Sequence, residues 1–460
     1  MTAMEDQKAE VVICGAGIAG VSAAYFLTAR QGMQRVMLVD ENAPLSLTSD
    51  HSTECYRNWW PGPGDAMVGL MNRSIDLMEE LAEESGNIFH LNRRGYLYCT
   101  GDPERVTEMR KSAETTANLG AGPLRVHTGK EEPSGYIPAE AEGFKGQPTG
   151  ADLLLDPGLI RAHFPYLTRQ VAAALHVRRA GWFSAQQLGM YLLQGAREHG
   201  TKLVEGKVSE VEVSDGQVCG VRLADGRRIT TRNFVNAAGP YLKEVGALLG
   251  VELPVYNELH LKVAMKDPLG VLDRSAPLVI WSDTQKLEWS SEEQQILTED
   301  DTLGWMLSVL PAGVHTRPEG APEGQMILVL WEHQDRPMPP VYPIPLDQQY
   351  ADIALRGLVK MIPGMQTYVE KPPRPRIDGG YYTKTVENRP LIGKLPVRGA
   401  YLIGALSGFG VMSCCATGEL LAAHVTGSPL PSYTAAFSLE RYQDPTYLQQ
   451  FEPWQDSGQL

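Results

Sequence analysis

The stretch that decides the fold is Glu10-Val-Val-Ile-Cys14, followed at once by Gly15-Ala-Gly17-Ile-Ala-Gly20. An apolar run, a glycine turn and then Val21 to Arg30, with apolar residues at helical intervals, predict a strand, a tight turn and a helix. A second apolar run, Arg35 to Asp40, ends in an acid and completes a β-α-β unit. The chain therefore begins with the first unit of a parallel sheet.

Each glycine in this turn meets a separate physical need. Gly15 permits the tight turn, Gly17 lets the backbone approach a pyrophosphate, and Gly20 lets the helix pack closely on the strand. The helix N-terminus adds free N–H groups and a positive dipole that favour an anion. Asp40 lies 25 residues after Gly15, where a carboxylate can accept hydrogen bonds from a ribose. Together these features predict a dinucleotide-binding site.

The composition is that of an ordinary globular protein. The chain has 460 residues, of which 43% are hydrophobic and 21% are charged, which allows two or three domains. The net charge of −14 disfavours a nucleic-acid partner, because the chain lacks the excess of positive charge that attracts phosphate groups. The six cysteines include no CxxC pair, so we expect a reducing compartment and no metal site.

The N-terminal segment favours a cytoplasmic protein. It reads MTAMEDQKAE, with acids where a signal peptide would carry a basic flank. The longest apolar stretch, Val11 to Leu27, is interrupted by the three glycines and is shorter than the roughly 20 residues of a membrane span. We therefore expect no membrane span.

The rest of the chain indicates a second, largely antiparallel sheet and a discontinuous first domain. Helices are expected over Met67 to Glu84, Leu188 to His199 and Asp347 to Ile362, and Gln334 to Pro345 is Pro-rich and expected to be exposed. Strands of the second sheet are expected at Pro254 to Met265, Pro277 to Trp281, Met306 to Leu310 and Met326 to Trp331. We assign residues 8–90, 151–245 and 371–430 to a Rossmann-like α/β cofactor domain, 91–150 and 246–370 to an antiparallel β substrate domain with flanking helices, and 431–460 to a C-terminal tail.

Four separated segments resemble the D-amino-acid oxidase (DAO) superfamily of FAD enzymes, which includes sarcosine- and dimethylglycine-oxidising enzymes and glycine oxidase. Besides the β-α-β unit, residues 233–240 (NFVNAAGP) resemble the family's second glycine-containing strand end. Residues 378–393 (DGGYYTKTVENRPLIG) resemble its late motif, and 404–410 (GALSGFG) its terminal glycine turn. The resemblance implies a Rossmann-like FAD-binding domain and oxidation of a C–N bond.

The terminal glycine turn also has a physical role of its own. A glycine-rich turn that opens a helix directs N–H donors and a positive dipole toward a reduced flavin, which carries negative charge. The resemblance places Gly408 and Gly410 at the pyrimidine end of the flavin and Val208 beside the adenine; simple turn-making remains the alternative for both glycines. The residues expected to bind FAD are Gly15, Gly17, Ile18, Ala19, Gly20, Asp40, Glu41, Val208, Ala238, Gly239, Gly404, Gly408, Phe409, Gly410, Val411 and Met412.

Candidates for the substrate side are fewer. Arg57 lies where related amine oxidases carry basic residues beside the flavin, and it could clamp a substrate carboxylate bidentately. The alternative is an arginine paired with an acid on the surface. Glu54 stands where some relatives have Arg or a flavin-linking His, and Trp59 and Trp60 could either wall an apolar pocket or pack a domain interface.

Glu258, His260 and Lys262 alternate with apolar residues and therefore share one face of a strand. That face could line the active site, or it could be a solvated face of the sheet. Tyr382 matches a family tyrosine near the substrate. Met412 stands where some amine oxidases place a carboxylate-binding Lys, which disfavours a simple N-methylglycine substrate. The expected catalytic residues are Lys262, His260, Tyr382 and Arg57.

We expect FAD to be bound noncovalently. The Cys that some relatives link to the flavin matches Gly380, and no His stands at the second linkage position near Glu54. His51 lies close to that second position and leaves a covalent link open.

The expected function is an FAD-dependent amine or amino-acid oxidase or dehydrogenase, with dioxygen or another electron acceptor. A substrate amine would give hydride to the flavin and leave as an imine. The alternatives are a non-enzymatic flavoprotein assembly factor and a flavin hydroxylase; the latter typically has a late Gly-Asp pair, where this chain reads Ile403-Gly-Ala-Leu-Ser. The substrate and the oligomeric state do not follow from the sequence.

Overall fold

A computed structural model describes residues 7–129, 135–321, 323–333 and 336–451. The strands, in chain order, are β1 Gln7–Lys8, β2 Val11–Cys14, β3 Val36–Asp40, β4 Cys55–Arg57, β5 Tyr96–Thr100, β6 Leu124–His127, β7 Ala151–Leu154, β8 Ala173–Val177, β9 Ala180–Trp182, β10 Thr201–Glu205, β11 Val208–Ser214, β12 Gln217–Leu223, β13 Arg228–Thr230, β14 Phe234–Asn236, β15 Tyr256–Lys266, β16 Leu278–Trp281, β17 His315–Glu319, β18 Met326–Leu330, β19 Arg376–Lys384, β20 Leu391–Lys394 and β21 Ala400–Gly404.

The α-helices connect and cover these strands. They are α1 Ile18–Tyr25, α2 Ala66–Ser85, α3 Arg105–Thr116, α4 Pro157–His163, α5 Ala185–Glu198, α6 Leu242–Ala247, α7 Ser291–Glu299, α8 Tyr350–Met361, α9 Gln366–Glu370 and α10 Gly410–Thr426. The helix after the first glycine turn ends in a π-helical turn, Phe26–Arg30.

The first sheet is a six-stranded, mostly parallel sheet in the order β10-β3-β2-β14-β21-β20. Neighbouring strands from β10 to β21 run parallel, and only β20 is antiparallel to its neighbour. Strands β2 and β14 are buried throughout, as expected for a sheet covered on both faces. The glycine turns that follow β2, β14 and β21 therefore meet at one edge of this sheet.

The second large sheet has nine strands in the order β19-β15-β18-β17-β16-β5-β8-β7-β6. Glu258 lies opposite Tyr382, His260 opposite Gly380, and Lys262 opposite both Asp378 and Leu330. Because directly opposed residues point to the same side of a sheet, these side chains share one face. We call this face the site face.

Two smaller sheets complete the architecture. Strands β1, β13, β12 and β11 form a four-stranded sheet, in which the turns at Asp215-Gly216 and Asp225-Gly226 close two hairpins. Strands β4 and β9 form a two-stranded ribbon that carries Arg57. The fold is thus a Rossmann-like α/β unit joined to a largely antiparallel β unit with flanking helices, as the sequence predicted.

One predicted strand is wrong. Residues Met306 to Leu310 were expected to be extended, but Gly304–Leu307 forms a 3₁₀ turn after α7. A five-residue apolar run is compatible with either structure. Here the turn buries Met306, and the Met306 carbonyl accepts a hydrogen bond from the Trp289 indole at 3.2 Å.

The expected domain boundaries do not follow the sheets. Strands β7 and β8 fall within the stretch 151–245 and β19 within 371–430, yet all three belong to the nine-stranded sheet. The chain crosses between the two sheets more often than its local patterns indicate. Residues 431–451 form three short 3₁₀ turns, and the last residues of the expected tail lie outside the described ranges.

No helix in the described part of the chain is long and apolar enough to span a membrane.

Candidate active site and cofactor cleft

The first glycine turn has the tight packing that its motif predicts. Gly15 has a φ of +110°, and a Cβ there would lie 2.4 Å from the Ala237 carbonyl oxygen. A Cβ at Gly20 would lie 1.8 Å from the Gly15 carbonyl oxygen. At Gly17 the nearest atom to such a Cβ is the Ser49 hydroxyl oxygen at 3.4 Å, so this position faces open space. The turn therefore leaves a cradle beside Gly17.

Asp40 supports the glycine turn directly. Its carboxylate accepts hydrogen bonds from the Ala16 amide at 2.7 Å and from the Asn42 amide at 2.8 Å. The neighbouring Glu41 forms an ion pair with Lys207 at 3.3 Å. Asp40 lines the cleft described below, so it can both hold the turn and face a ribose.

A cleft starts at Asp40 and the first glycine turn and continues to the terminal glycine turn and Tyr382. Eleven of the sixteen residues predicted to bind the cofactor line it. These eleven are Gly15, Gly17, Ile18, Ala19, Asp40, Ala238, Gly239, Gly404, Gly408, Gly410 and Val411.

The other five predicted cofactor residues lie around the cleft rather than on its wall. Gly20 packs against Gly15, and Glu41 lines a shallow depression together with Lys207. Val208 begins the strand that follows Lys207. Phe409 is buried edge-on against Trp60 with ring centroids 5.1 Å apart, and the Met412 carbonyl accepts a hydrogen bond from Ser74 at 2.6 Å.

The sequence did not identify one wall of the cleft, which comes from the loop after β3. Ser49 and Thr48 lie in this loop, and the Ser49 hydroxyl accepts a hydrogen bond from the Ile18 amide at 3.0 Å. A polar loop between two strands, here β3 and β4, carries no periodic signal that would place it there. Ala43, Leu45, Ser46, Leu47, Ser52, Ala237, Pro240, Tyr381, Thr383, Ile403, Ala405, Leu406 and Ser407 complete the lining.

The terminal glycine turn packs directly on Tyr382. Gly408 has a φ of +81°, and a Cβ there would lie 2.2 Å from Cε2 of the Tyr382 ring. The 17-residue helix α10 begins at Gly410, which lines the cleft with Val411. The N-terminus of α10 therefore directs its positive dipole into the cleft.

These features fit an FAD. The cleft contains the glycine cradle at Gly17 and is lined by the N-terminal residues of two helices, α1 and α10. A dinucleotide needs the first cradle for its pyrophosphate, and a flavin ring gains from the dipole at the other end.

The site face of the nine-stranded sheet is buried. Glu258 and His260 are each 6% exposed, and the Lys262 side chain is 12% exposed. The alternative of a solvated sheet face is therefore excluded. The three side chains face the α/β unit instead of solvent.

Lys262 is held by backbone carbonyls. Its Nζ donates to the His51 carbonyl at 2.8 Å and to the Ser52 carbonyl at 2.9 Å, and it lies 3.9 Å from the Asp378 carboxylate. Burial lowers the pKa of Lys262, and the nearby Asp378 and Glu54 carboxylates partly oppose that effect. Since Ser52 lines the cleft, a positive charge lies directly behind the cleft wall.

His260 lies between two carboxylates. Its Nε2 is 3.2 Å from Glu258 and its Nδ1 is 3.0 Å from Glu332. Lys384 donates to the same Glu258 oxygen at 2.8 Å. Burial opposes ionisation of both glutamates, but their basic neighbours outweigh it and lower both pKa values. Glu332 and Lys384 were not predicted from the sequence, because Glu332 follows β18 and Lys384 lies in β19.

Arg57 is buried as well. It is 2% exposed, its Nε donates to the Trp59 carbonyl at 3.1 Å, and its Cζ lies 4.5 Å from the centroid of the Trp60 ring. The Arg57 Cζ also lies over the Tyr96 ring, 5.7 Å from its centroid. The alternative of a surface ion pair is therefore excluded for Arg57, and Trp59 and Trp60 are both buried.

A second buried arginine was not predicted. Arg317 is 1% exposed; it donates to the Thr53 carbonyl at 2.8 Å and forms ion pairs with Glu319 at 2.5 Å and Glu54 at 3.7 Å. Glu54 also accepts from the Ala185 amide at 2.7 Å. Glu54 therefore anchors the loop beneath the site and does not itself line the cleft.

Gly380 is closely packed. A Cβ at this position would lie 3.2 Å from the Thr48 Cα and 3.6 Å from the His51 Cβ. The His51 Nδ1 lies 2.8 Å from the Asp378 carboxylate.

Within the described ranges, no group of three or more His, Cys, Asp or Glu side chains could hold a metal ion.

Comparison with known families agrees with this geometry. The family model described as DAO, FAD dependent oxidoreductase, matches residues 10–424. The chain therefore belongs to the DAO family of FAD-dependent oxidoreductases, as the resemblance of its four motifs predicted.

Individual relatives are distant. Mitochondrial dimethylglycine dehydrogenase of Homo sapiens is 28% identical over 255 residues, which is 55% of this chain and 26% of that protein. The mitochondrial pyruvate dehydrogenase phosphatase regulatory subunit of Mus musculus is 24% identical over 265 residues, which is 55% of this chain and 25% of that protein. The match thus spans about a quarter of the length of these curated relatives.

Solved structures share the fold across almost the whole chain. L-proline dehydrogenase from P. horikoshii has a TM-score of 0.73 at 20% identity and covers 96% of this chain and 99% of its own. Glycine oxidase from Geobacillus kaustophilus has a TM-score of 0.71 at 18% identity and covers 94% of this chain and 98% of its own. These likenesses establish the fold.

Proposed function

We propose that this protein is an FAD-dependent oxidase or dehydrogenase that oxidises a C–N bond of an amine or amino acid. The observation that carries the proposal is that the cofactor cleft ends at Tyr382, on the buried site face. A substrate held between that face and the flavin end of the cleft is shielded from water and close to the cofactor. Relatives named for dimethylglycine, proline and glycine support this reaction class.

Bound FAD supplies the acceptor for the two electrons of the substrate. The residues of this chain bind it and stabilise the charge it gains. The cradle at Gly17 takes the pyrophosphate, while the Gly408 turn and the N-terminus of α10 supply N–H groups and a positive dipole at the flavin end. The polypeptide thus favours the reduced state electrostatically.

Four side chains form the substrate side in this proposal. Tyr382 contacts the substrate from the site face, and His260 supports the Tyr382 ring by stacking on it at 4.0 Å. Arg57 holds a carboxylate where the substrate has one, because its planar group can form two parallel hydrogen bonds. Lys262 places a positive charge behind Ser52, where it favours electron transfer to dioxygen.

The test of the enzymatic assignment is anaerobic reduction of the bound flavin. The holoprotein is mixed with amino acids, N-methylated amino acids and cyclic amines, and flavin absorbance is followed. We expect bleaching by at least one class and formation of the matching imine or its hydrolysis product. If no member of the panel reduced the flavin, the enzymatic assignment would be wrong.

A regulatory flavoprotein is the second candidate. It is favoured by the similarity to a pyruvate dehydrogenase phosphatase regulatory subunit, over about the same share of this chain as the dehydrogenase. That protein's name describes a regulatory role. In this case FAD would bind tightly and dithionite would reduce it, while the amine panel would not.

We further propose that FAD is held noncovalently, because Gly380 offers no sulfur for a link. Acid precipitation should release yellow FAD into the supernatant. Flavin that stays with the precipitated chain would contradict this, and peptide mapping would then examine His51, the histidine nearest the predicted second linkage position in the sequence.

We propose a cytoplasmic location with dioxygen or a soluble carrier as acceptor. All six cysteines are free thiols in the structure, as a reducing compartment maintains them. Cell fractionation with an antibody to the chain checks the location, and recovery in an organelle or membrane fraction would contradict it.

A further inference from the structure

His51 contacts both members of a partly buried charge pair behind the cleft wall. Its carbonyl accepts a hydrogen bond from the Lys262 Nζ at 2.8 Å, and its Nδ1 lies 2.8 Å from the Asp378 carboxylate. Asp378 stands directly opposite Lys262 in the pairing of β15 with β19, and its carboxylate lies 3.9 Å from the Lys262 Nζ. One residue of the loop after β3 therefore fixes the lysine and the carboxylate relative to each other.

The loop that carries His51 packs closely on β19. A Cβ at Gly380 would lie 3.2 Å from the Thr48 Cα and 3.6 Å from the His51 Cβ, so the lack of a side chain there lets the loop approach the strand. The Gly379 amide donates to the Asp378 carboxylate at 2.9 Å. The carboxylate is thus oriented from its own strand and from the loop.

The other charged groups that face Lys262 largely neutralise one another. Arg317 is buried and forms ion pairs with Glu319 at 2.5 Å and with Glu54 at 3.7 Å. Burial lowers the pKa of Lys262, and the Asp378 carboxylate opposes this effect more strongly than Glu54 does. Arg317 adds to the lowering, and Glu319 opposes it. Asp378 is therefore the carboxylate on which the charge of Lys262 depends most.

We propose that Asp378 is a positioning residue for electron transfer to dioxygen: held by His51, it keeps Lys262 charged behind Ser52 at neutral pH. This inference rests on the proposed role of Lys262 in that step. The carboxylate acts through the lysine and not on the cofactor, since an opposite charge within about 4–6 Å favours the ionised form of a group. Asp378 then sets the upper end of the pH range in which the flavin is reoxidised quickly.

The first test is Asp378→Asn, which keeps the shape of the side chain and removes its charge. Wild-type reoxidation is expected to slow as the pH rises and Lys262 loses its proton, and in the variant this decrease should begin about one pH unit lower. Glu54→Gln is the matched control: it removes a charge that Arg317 already neutralises, so it should shift the decrease less. A profile of Asp378→Asn that coincides with that of the wild type would overturn the inference.

Two variants of His51 test how Asp378 is held. His51→Ala keeps the main-chain carbonyl and removes the imidazole, so the carboxylate is free to turn toward solvent. The decrease in reoxidation should then shift in the same direction as in Asp378→Asn. His51→Asn should restore the wild-type profile, because its amide can donate a hydrogen bond from the place of Nδ1. Wild-type behaviour of His51→Ala would contradict the role of His51.

A measurement on the apoprotein needs neither FAD nor turnover. Asp378→Asn should lower the urea midpoint at pH 7, and should lower it less in a Lys262→Met background, where no charge remains to be paired. Equal losses in the two backgrounds would overturn the inference, because Asp378 would then act independently of Lys262. Coupling in this cycle, together with a wild-type flavin that dioxygen does not reoxidise, would instead contradict the proposed role of Lys262, and the pair would then only stabilise the fold.

Discussion

The His260 imidazole stacks on the Tyr382 ring, with centroids 4.0 Å apart and planes inclined by 15°. Tyr382 packs in turn against the Gly408 turn, so the three residues link the sheet to the end of the cleft at the terminal glycine turn. The two carboxylates on either side of His260 fix the orientation of its ring. The geometry of the site is therefore set by packing between the two units of the fold.

The first prediction concerns the contact between Gly408 and Tyr382. Gly408→Ala should displace the Tyr382 ring, because the new Cβ would lie 2.2 Å from it and because the φ of +81° disfavours alanine. We expect a shifted flavin absorption spectrum and at least tenfold slower flavin reduction. Gly427→Ala, with a φ of +76° at the far end of α10 and open space around it, is the matched control and should leave the spectrum unchanged.

The second prediction separates cofactor binding from folding at the first turn. Gly17→Val should lose FAD while the apoprotein still folds, because the side chain enters the cradle and not the protein core. Gly15→Ala should destabilise the fold itself, since its Cβ would meet the Ala237 carbonyl. Bound flavin per chain and circular dichroism measure the two effects. Full FAD occupancy in Gly17→Val would falsify the phosphate assignment.

The third prediction concerns the charges around His260. His260→Gln removes the imidazole that bridges Glu258 and Glu332 and leaves Lys384 as the basic partner of Glu258, and we expect a loss of about 3 kcal/mol in the free energy of unfolding near pH 7.5. In the wild type both carboxyl pKa values are lowered. Their contribution to stability is therefore present above the ordinary glutamate pKa and is lost as the pH falls.

In the His260→Gln variant at least one carboxyl should bind a proton more readily, so the difference from wild type should shrink at pH 5. Urea denaturation at the two pH values checks this. An equal difference at both would contradict the electrostatic account and indicate loss of packing alone.

The fourth prediction concerns Lys262. Lys262→Met keeps much of the packing of the stem and removes the charge behind Ser52, so reoxidation of the flavin by dioxygen should slow at least tenfold while its reduction changes little. Burial lowers the pKa of Lys262, so wild-type reoxidation should fall as the pH rises, beginning below the usual lysine range. The Met variant should lack this decrease.

Stopped-flow measurement of the two half-reactions checks the Lys262 prediction. If reoxidation were normal in Lys262→Met, the role of Lys262 would be limited to its hydrogen bonds with the His51 and Ser52 carbonyls.

The fifth prediction concerns Arg57. Arg57→Lys keeps the charge and loses the planar fork, so KM for a carboxylate-bearing substrate should rise about tenfold, as expected for one lost charge-assisted hydrogen bond. KM for an amine without a carboxylate should change little. An equal loss for both substrates would instead show that Arg57 acts by supporting Trp60, over which it stacks.

Local sequence was sufficient to predict many of the residues that line the cleft. The first glycine turn, Asp40 and the Gly408 turn each lie within a few residues of the strand or helix they belong to, and glycine at such turns has a local steric reason. Eleven of the sixteen predicted cofactor residues accordingly line the cleft. The two-residue period of a strand also predicted that Glu258, His260 and Lys262 share one face.

Only the tertiary structure decided which residues contact the site face. Glu332 follows β18 and Lys384 ends β19, so the pairing of Glu332 with His260 and of Lys384 with Glu258 depends on the strand order of the nine-stranded sheet. Strand order is set by long-range packing and loop closure, which leave no periodic signal in a single sequence. The burial of Arg57 was hidden for the same reason, because it depends on contacts with residues distant along the chain, such as Tyr96.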